Sequence, residues 1–287
     1  MKLFQKKKKI ESVLLLTVND LSEKQKRLAF RLLLQLLAQK ITPFDFQTTM
    51  LIKLGYKPKR KDELGRHFFI IVAENLNLLF KIIGNEIIID YDFSENPFPH
   101  LPDETFGQHI PTFTRNFTID TNITSRQFAD CLDYLFEFTK ITTDTSSPED
   151  MKQTSELRLH LLSKIAETLY KIDYDTAKKI PFEILFAIQM WFTGINIFFH
   201  RHPIYSVLFR NNKDDDKEKI TLGMSETLLH LQKEGYSNIE EMNVIDFFNA
   251  QIKSLKDNLN HAKAEGAKLE DIAKQTHLDF DTINKLT

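Results

Sequence analysis

The sequence contains one long uncharged run in its second half, Ile184-Leu-Phe-Ala-Ile-Gln-Met-Trp-Phe-Thr-Gly-Ile-Asn-Ile-Phe-Phe-His200. Pro181 stands shortly before it, and proline is favoured in the first turn of a helix. With about 17 residues the run is at the lower limit for a membrane-spanning helix, and it includes the polar Gln189 and Asn196. We therefore expect a buried core helix around which other helices pack, with a membrane span as the less favoured alternative.

Helix signals lie on both sides of this run. Ser22-Glu-Lys-Gln25 fits a capping box, and Thr42-Pro43 is expected to begin the next helix, which Gly55 ends. Further helices are predicted from Thr124 to about Lys140 and over Met151–Tyr170. The apolar positions expected to face the core in these last two helices are Phe128, Leu132, Leu135, Phe136, Phe138, Leu157, Leu161, Ile165 and Leu169.

A β-hairpin interrupts the helical pattern. Phe80–Ile83 and Glu86–Tyr91 are rich in β-branched residues, and Gly84-Asn85 between them suits a two-residue turn. The preceding His67–Ala73 fits either a strand or a buried helix. The loop over Asn96–Pro111 is rich in proline and aromatic residues, so we expect it to pack onto the protein. The predicted fold class is mainly α, a multi-helix bundle with a small β-hairpin in the N-terminal half.

Two polar segments divide the chain. Thr142–Asp150 is the better candidate for a domain boundary, and Asn211–Lys219 is typical of a charged linker before a helix over Leu222–Glu234. Three consecutive parts are predicted: an N-terminal helical region with the β-hairpin and the Pro/Phe-rich loop at 1–145, a C-terminal helical bundle at 146–265, and a short hairpin of helix-turn-helix type at 266–287.

The end of the chain looks like a helix-turn-helix. A helix from Asn243 is expected to end at Gly266, and Leu269–Leu286 then fits two short helices. The apolar positions that would pack them are Ala273, Leu278 and Ile283. The turn carries His277 where glycine is usual. The charged residues of the second helix are Asp279, Asp281 and Lys285. Since a recognition helix needs cations for phosphates and donors for base edges, we interpret the segment as a structural hairpin, with DNA contact as the alternative.

Composition narrows the classes of function. The net charge of −2 argues against affinity of the whole protein for nucleic acid or an anionic membrane. The single cysteine, Cys131, cannot form an intramolecular disulfide, so a reducing compartment is expected. With 24 Phe and only 8 Gly, the chain has many planar apolar groups, which suit a helical core or a protein-binding face.

The sequence carries no pattern that points to catalysis, a cofactor or a metal. His200-Arg-His202 would place two imidazoles on different faces of a helix, and no carboxylate or cysteine lies nearby in sequence to complete a zinc site. Asp214-Asp-Asp216 lacks the pattern of a calcium loop. Glycine-rich phosphate loops and the HExxH and GxSxG motifs are absent from the sequence, and Cys131 is expected to be a buried hydrophobe. We predict a non-enzyme with no catalytic, cofactor-binding or metal-binding residues.

Four groups of spaced apolar, proline and glycine positions follow one another along most of residues 20–260. The first is the opening helix with Ile41-Thr-Pro-Phe44 and Leu54-Gly-Tyr56, and the second is Asn96-Pro-Phe-Pro99 with Phe113–Phe117 and Thr124-Ser-Arg-Gln-Phe128. The third is Ile180-Pro-Phe-Glu183 with Met190-Trp-Phe-Thr-Gly194, and the fourth is Glu226-Thr-Leu-Leu-His230 with Lys233-Glu-Gly235 and the helix from Asn243. In this order they resemble a group of tail-region proteins of phages and prophages of AT-rich Bacteroidetes, encoded around the tape-measure gene. The chain departs from that group in lacking a Gly-Pro-Asp segment in the middle loop and in adding the hairpin after Gly266.

The resemblance implies a non-enzymatic tail assembly protein of chaperone type, without a cofactor, in the cytoplasm of a bacterial host. Such a protein would hold a long, apolar, helical partner of the tape-measure kind in grooves lined by Phe and Leu. The candidate contact residues are Phe192, Phe198, Phe199, Tyr205 and Phe209, which also suit a purely structural place in the core. Two alternatives are a DNA-binding regulator acting through residues 267–287 and a structural virion or connector subunit. Nucleic acid and membrane partners are not expected, and a homo-oligomer stays open.

Overall fold

A computed structural model describes residues 17–56, 63–84, 86–91, 95–101, 109–115, 118–141, 147–209, 233, 237–276 and 278–287. Its α-helices within these ranges are α1 (Glu23–Leu37), α2 (Pro43–Lys53), α3 (Glu63–Glu74), α4 (Ser125–Lys140), α5 (Pro148–Tyr170), α6 (Tyr174–Ala177), α7 (Phe182–Arg201), α8 (Val244–Ala264), α9 (Leu269–Thr276) and α10 (Phe280–Leu286). Its strands are β1 (Phe80–Ile83), β2 (Glu86–Ile89), β3 (Phe113–Arg115) and β4 (Ile119–Thr121). The prediction of a mainly α fold with a small β-hairpin is confirmed.

The chain forms two compact units, and each is built from two stretches of sequence. The first unit comprises Met1–Ile110 and Ile141–Gly194, and the second comprises Pro111–Lys140 and Ile195–Thr287. Helix α7 contributes residues to both. The division into 1–145, 146–265 and 266–287 that the sequence indicates stays a prediction.

In the first unit, hydrogen bonds between residues close in sequence and a glycine with positive φ fix the ends of α1 and α2. The backbone N–H of Ser22 donates to Gln25 Oε1 at 2.9 Å, which is half of the predicted capping box of α1. Thr42 and Asp45 form the same reciprocal pair at the start of α2, with Asp45 N–H donating to Thr42 Oγ1 at 3.2 Å. Gly55 follows α2 with a φ of +83°, a left-handed conformation that glycine adopts at no steric cost. All three predicted boundaries are confirmed.

The predicted hairpin is present in the first unit. Strands β1 and β2 pair antiparallel with Phe80 opposite Ile89 and Ile83 opposite Glu86, and Gly84 in the turn has a φ of +63°. Strand β2 ends at Ile89, two residues earlier than expected. The ambiguous segment over 67–73 lies within α3, so the strand alternative is wrong.

The proline-rich loop packs onto the first unit where it is described. The phenol O–H of Tyr170 donates to the carbonyl of Phe98 at 2.5 Å, and Asn96 Nδ2 donates to the phenol oxygen at 2.9 Å. The Phe98 side chain is fully buried, with its ring centroid 6.0 Å from that of Phe30. The expectation of a packed loop is confirmed for these residues, while 102–108 lie outside the described ranges.

An ion pair joins α1 to the start of α7 in the first unit. Glu183 Oε1 lies 2.7 Å from Arg31 Nη2 and 3.1 Å from Arg27 Nη2. Burial tends to raise the pKa of the Glu183 carboxyl, but hydrogen bonds from Arg31 and Arg27 outweigh it and hold the pKa below its ordinary value. The only acidic residue next to the uncharged run is therefore kept ionised and paired.

In the second unit, the N-terminal ends of α4 and α8 are joined by hydrogen bonds. Asn243 caps α8 by accepting from Ile245 N–H at 2.9 Å, and its Nδ2 donates to the carbonyl of Thr121 at the end of β4. Ser125 N–H donates to the carbonyl of Met242 at 2.8 Å. The predicted start of α8 is confirmed, and its cap also holds the second hairpin, β3–β4, which the sequence did not indicate.

The last three helices form a small cluster in the second unit. Its buried residues are Leu259, Ile272, Leu278 and Ile283, against which Ala273 and Leu286 are partly buried. Gly266 ends α8 with a φ of +82°. The two terminal helices are confirmed, and α8 supports them as a helix-turn-helix would require. Residue 277, in the turn, lies outside the described residues.

Two apolar positions predicted to face the core are exposed. Phe136 on α4 leaves 61% of its surface accessible and Leu157 on α5 leaves 48%. For these residues the prediction is wrong. Helical spacing shows which residues share one side of a helix, but it does not show how far along that side other elements pack. The expected linker at 211–219 and the helix at 222–234 fall outside the described residues, apart from Lys233.

Candidate functional site

The aromatic residues predicted to contact a partner lie mainly in the interior. Phe192 is fully buried in the first unit, and Phe199 and Tyr205 are buried in the second. Phe198 and Phe209 are half-buried. A structural place in the core thus accounts for Phe192, Phe199 and Tyr205, and partner binding by the five residues stays a prediction.

Phe199 is the centre of an aromatic cluster in the second unit. Its ring centroid lies 4.8 Å from that of Phe248, 5.6 Å from that of Phe128 and 5.7 Å from that of Phe113. The interplanar angles of about 70–90° are the edge-to-face arrangement that aromatic quadrupoles favour. These rings come from α4, α7, α8 and β3, so the cluster holds these elements of the second unit together.

The two histidines considered as metal ligands stack on aromatic rings instead. The ring of His200 lies 4.3 Å from that of Phe209, and the ring of His202 lies 4.6 Å from that of Tyr205. The Nδ1 atom of His202 accepts a hydrogen bond from Ile204 N–H at 3.3 Å, so this nitrogen carries no proton. Burial lowers the pKa of both imidazoles.

This arrangement makes the stability of the second unit depend on pH. Because the pKa of His202 is lower in the folded protein than the ordinary 6.5, its neutral form contributes stability above pH 6.5 that is lost as the pH falls through the folded value. We expect the drop in Tm between about pH 7.5 and pH 5.5 to be smaller in His202→Gln than in the parent protein. Thermal unfolding at both pH values measures it. His67→Gln, at an exposed position of α3 in the first unit, is the control and should leave the drop unchanged.

Within the described ranges, no group of three or more His, Cys, Asp or Glu side chains is placed to hold a metal ion. Cys131 is fully buried, and burial raises the pKa of its thiol. Residues 214–216 are outside those ranges. The expectation of no catalytic or metal site stays a prediction.

The first unit exposes large apolar side chains between residues 37 and 88. They are Leu37, Phe44, Ile52, Ile70, Ile71, Ile82, Ile83, Ile87 and Ile88. Single exposed apolar residues are ordinary on protein surfaces, whereas sets that share one face mark interaction sites. Two sets in this region share a face, one on α2 and one on the β1–β2 hairpin.

The set on α2 is a stripe along one side of the helix. Phe44 and Ile52 are 40% and 45% exposed, and Thr48 lies between them at four-residue spacing. The opposite side of α2 is buried through Phe46 and Met50. We call Phe44, Thr48 and Ile52 the α2 stripe. The stripe was not predicted from the sequence, although Phe44 and Ile52 at positions i and i+8 of a helix indicate it.

The set on the hairpin follows from strand alternation. Phe80 and its partner Ile89 lie on the inner face, where the Phe80 ring packs edge-on to Phe46 at 5.0 Å. The opposite face carries two cross-strand pairs, Lys81 with Ile88 and Ile83 with Glu86, and all four residues are exposed. We call these four the outer hairpin face. Because Ile82-Ile83 and Ile87-Ile88 are adjacent pairs, one isoleucine of each lies on each face of the hairpin. Ile82 and Ile87, on the same face as Phe80, are also exposed, at 46% and 39%.

Helix α7 is long and apolar enough to cross a membrane, and 72% of that stretch is buried inside the structure. A buried core helix passes the same test, so this is weak evidence for a span. Comparison of the chain with protein-family models, curated proteins and solved structures finds no match.

Proposed function

We propose that this chain is a non-enzymatic protein of phage or prophage tail assembly that binds a long, apolar, helical partner of the tape-measure kind and keeps it soluble. Its resemblance to tail-region proteins supports the assignment. A DNA-binding regulator and a structural virion subunit are the less favoured alternatives. The short helix α10 carries Asp281 and a single cation, Lys285, and this charge composition does not favour binding to DNA.

The observation that carries the proposal is the α2 stripe. Helices pack through ridges formed by residues four apart, and Phe44, Thr48 and Ile52 form such a ridge on a helix whose other side already belongs to the core. A second helix laid along this ridge would bury the Phe44 and Ile52 side chains. The partner would thus be recognised through the apolar face of a helix.

Co-expression with the tape-measure protein of the same phage or prophage tests the proposal. We expect the partner to co-purify and to be more soluble than when it is expressed alone. The double variant Phe44→Ser/Ile52→Ser should weaken binding by roughly tenfold or more, since about 1.4 kcal/mol of lost apolar burial corresponds to that factor. Calorimetric titration of the purified protein with a helical partner segment measures the change.

A matched control is available on α5. Met151 and Leu157 are 46% and 48% exposed, so Met151→Ser/Leu157→Ser removes as much apolar surface from the same unit. This control should bind as the parent does. Equal binding by both double variants, or no recovery of a partner, would contradict the proposal. Finding the protein in purified phage particles would favour the structural subunit instead.

A further inference from the structure

The outer hairpin face, unlike the α2 stripe, has a charge pattern that selects its occupant. Strand pairing sets Lys81 beside Ile88 at the base of the hairpin and Ile83 beside Glu86 at its tip. Viewed face-on, the two charges therefore stand at opposite corners and the two isoleucines at the other two. Ile83 is 62% exposed and Ile88 is 44% exposed, and each is flanked by both charged residues.

This pattern is complementary to itself. A two-fold axis along the Ile83–Ile88 diagonal places each isoleucine of one face against the same isoleucine of a second face. The same rotation places Lys81 of one copy over Glu86 of the other, and Glu86 over Lys81. Axes along the strands or across them would instead set each charge against an isoleucine. An axis along the other diagonal would set like charges together, which is unfavourable.

We propose that the outer hairpin face binds a second copy of this chain, forming a two-fold dimer through Ile83, Ile88 and two Lys81–Glu86 ion pairs. The two hairpins would cross at about 70°, because the four residues are about 4.8 Å apart across the strands and about 6.7 Å apart along them. This angle is closer to the orthogonal than to the aligned arrangement of β-sheets that pack face to face. Both copies use the same surface in this contact, so the assembly contains two copies and does not grow further. Lys81 Nζ also lies 3.8 Å from Asp90 Oδ2 of its own chain, so in the dimer this ammonium group would lie near two carboxylates.

The dimer is weak and depends on protein concentration. Four side chains per copy bury far less surface than the roughly 800 Å² per partner of a standard interface. The exposed ion pairs add little free energy but discriminate strongly against mismatched charge. The proposal does not rest on the α2 stripe or on any tape-measure partner, because the two surfaces involve different residues.

Reversing the charge of Lys81 or of Glu86 tests the dimer, and each of the two variants is a control for the other. Sedimentation velocity over a wide concentration range should show the parent protein moving from monomer to dimer. Lys81→Glu and Glu86→Lys should each lose the dimer, because each homodimer would oppose two like-charged pairs. An equimolar mixture of the two variants should recover it, since every pair then joins opposite charges. The double variant Lys81→Glu/Glu86→Lys should also dimerise, but more weakly than the parent, because the new carboxylate at position 81 lies beside Asp90 of its own chain.

The controls separate a folding defect from a loss of contact. Recovery of the dimer in the mixture shows that both single variants are folded at the hairpin. Lys152→Glu and Glu156→Lys reverse an exposed pair on α5 and should leave the dimer unchanged. Ile83→Ser should weaken the dimer at least tenfold. A parent protein that stays monomeric at every concentration would overturn the proposal, as would single variants that dimerise normally or a mixture that stays monomeric.

Discussion

Phe199→Ala is expected to lower the free energy of unfolding by about 3–5 kcal/mol. The ring is fully buried, and its centroid lies within 6 Å of those of Phe113, Phe128 and Phe248. Removing it deletes the transfer free energy of the side chain and leaves a cavity that rings on three different elements cannot all move to fill. Chemical denaturation followed by circular dichroism measures the change.

Phe136→Ala is the matched control for this variant. Phe136 is exposed, and its described ring contact is Lys140 Nζ over the ring at 4.0 Å. Its removal should cost about 0.5 kcal/mol or less. The comparison also bears on the role first suggested for Phe199. If Phe199→Ala kept the stability of the parent but lost partner binding, the ring would belong to a contact surface and the description of a core cluster would be wrong.

Asn243→Ala is expected to lower the free energy of unfolding by about 2–4 kcal/mol. Two roles are lost together, because the side chain caps α8 by accepting from Ile245 N–H and donates to the carbonyl of Thr121. A lost N-cap costs about 1 kcal/mol, and a buried carbonyl left without its donor costs about 1–3 kcal/mol. Thermal and chemical unfolding of the purified variant give the value.

Asn243→Asp separates the two roles. Aspartate caps a helix as well as asparagine does, but it has no donor for the carbonyl of Thr121. Its stability should therefore fall between those of the parent and Asn243→Ala. If Asn243→Asp matched the parent, the bond to Thr121 would contribute nothing. If it matched Asn243→Ala, repulsion between the new carboxylate and the carbonyl oxygen of Thr121 would offset the contribution of the cap.

Several helix boundaries in the described part of the chain could be predicted from a few neighbouring residues. The pairs Ser22/Gln25 and Thr42/Asp45 close hydrogen bonds over three positions, and Gly55 and Gly266 adopt positive φ values just after a helix. The turn at Gly84 is local in the same way. Such signals are readable because every group that satisfies them is within one turn of chain.

The second hairpin, β3–β4, was missed for the opposite reason. Its strands have three residues each, and no turn glycine separates them. Hydrogen bonds of Thr121 Oγ1 to the carbonyl of Thr112 and of Asn243 Nδ2 to the carbonyl of Thr121 hold it. The second of these joins residues 122 positions apart, which no window of local sequence contains.

The sequence by itself determined the mainly α class, the positions of several caps and of the β1–β2 turn, and the burial of most of the uncharged run within α7. Only the tertiary structure decided which apolar side chains stay outside. It buries Phe199 on α7 and exposes Phe136 on α4, and it turns Phe44 and Ile52 outward on α2. Caps and turns are settled by bonds within a few residues, whereas exposure depends on which distant elements arrive to cover a face.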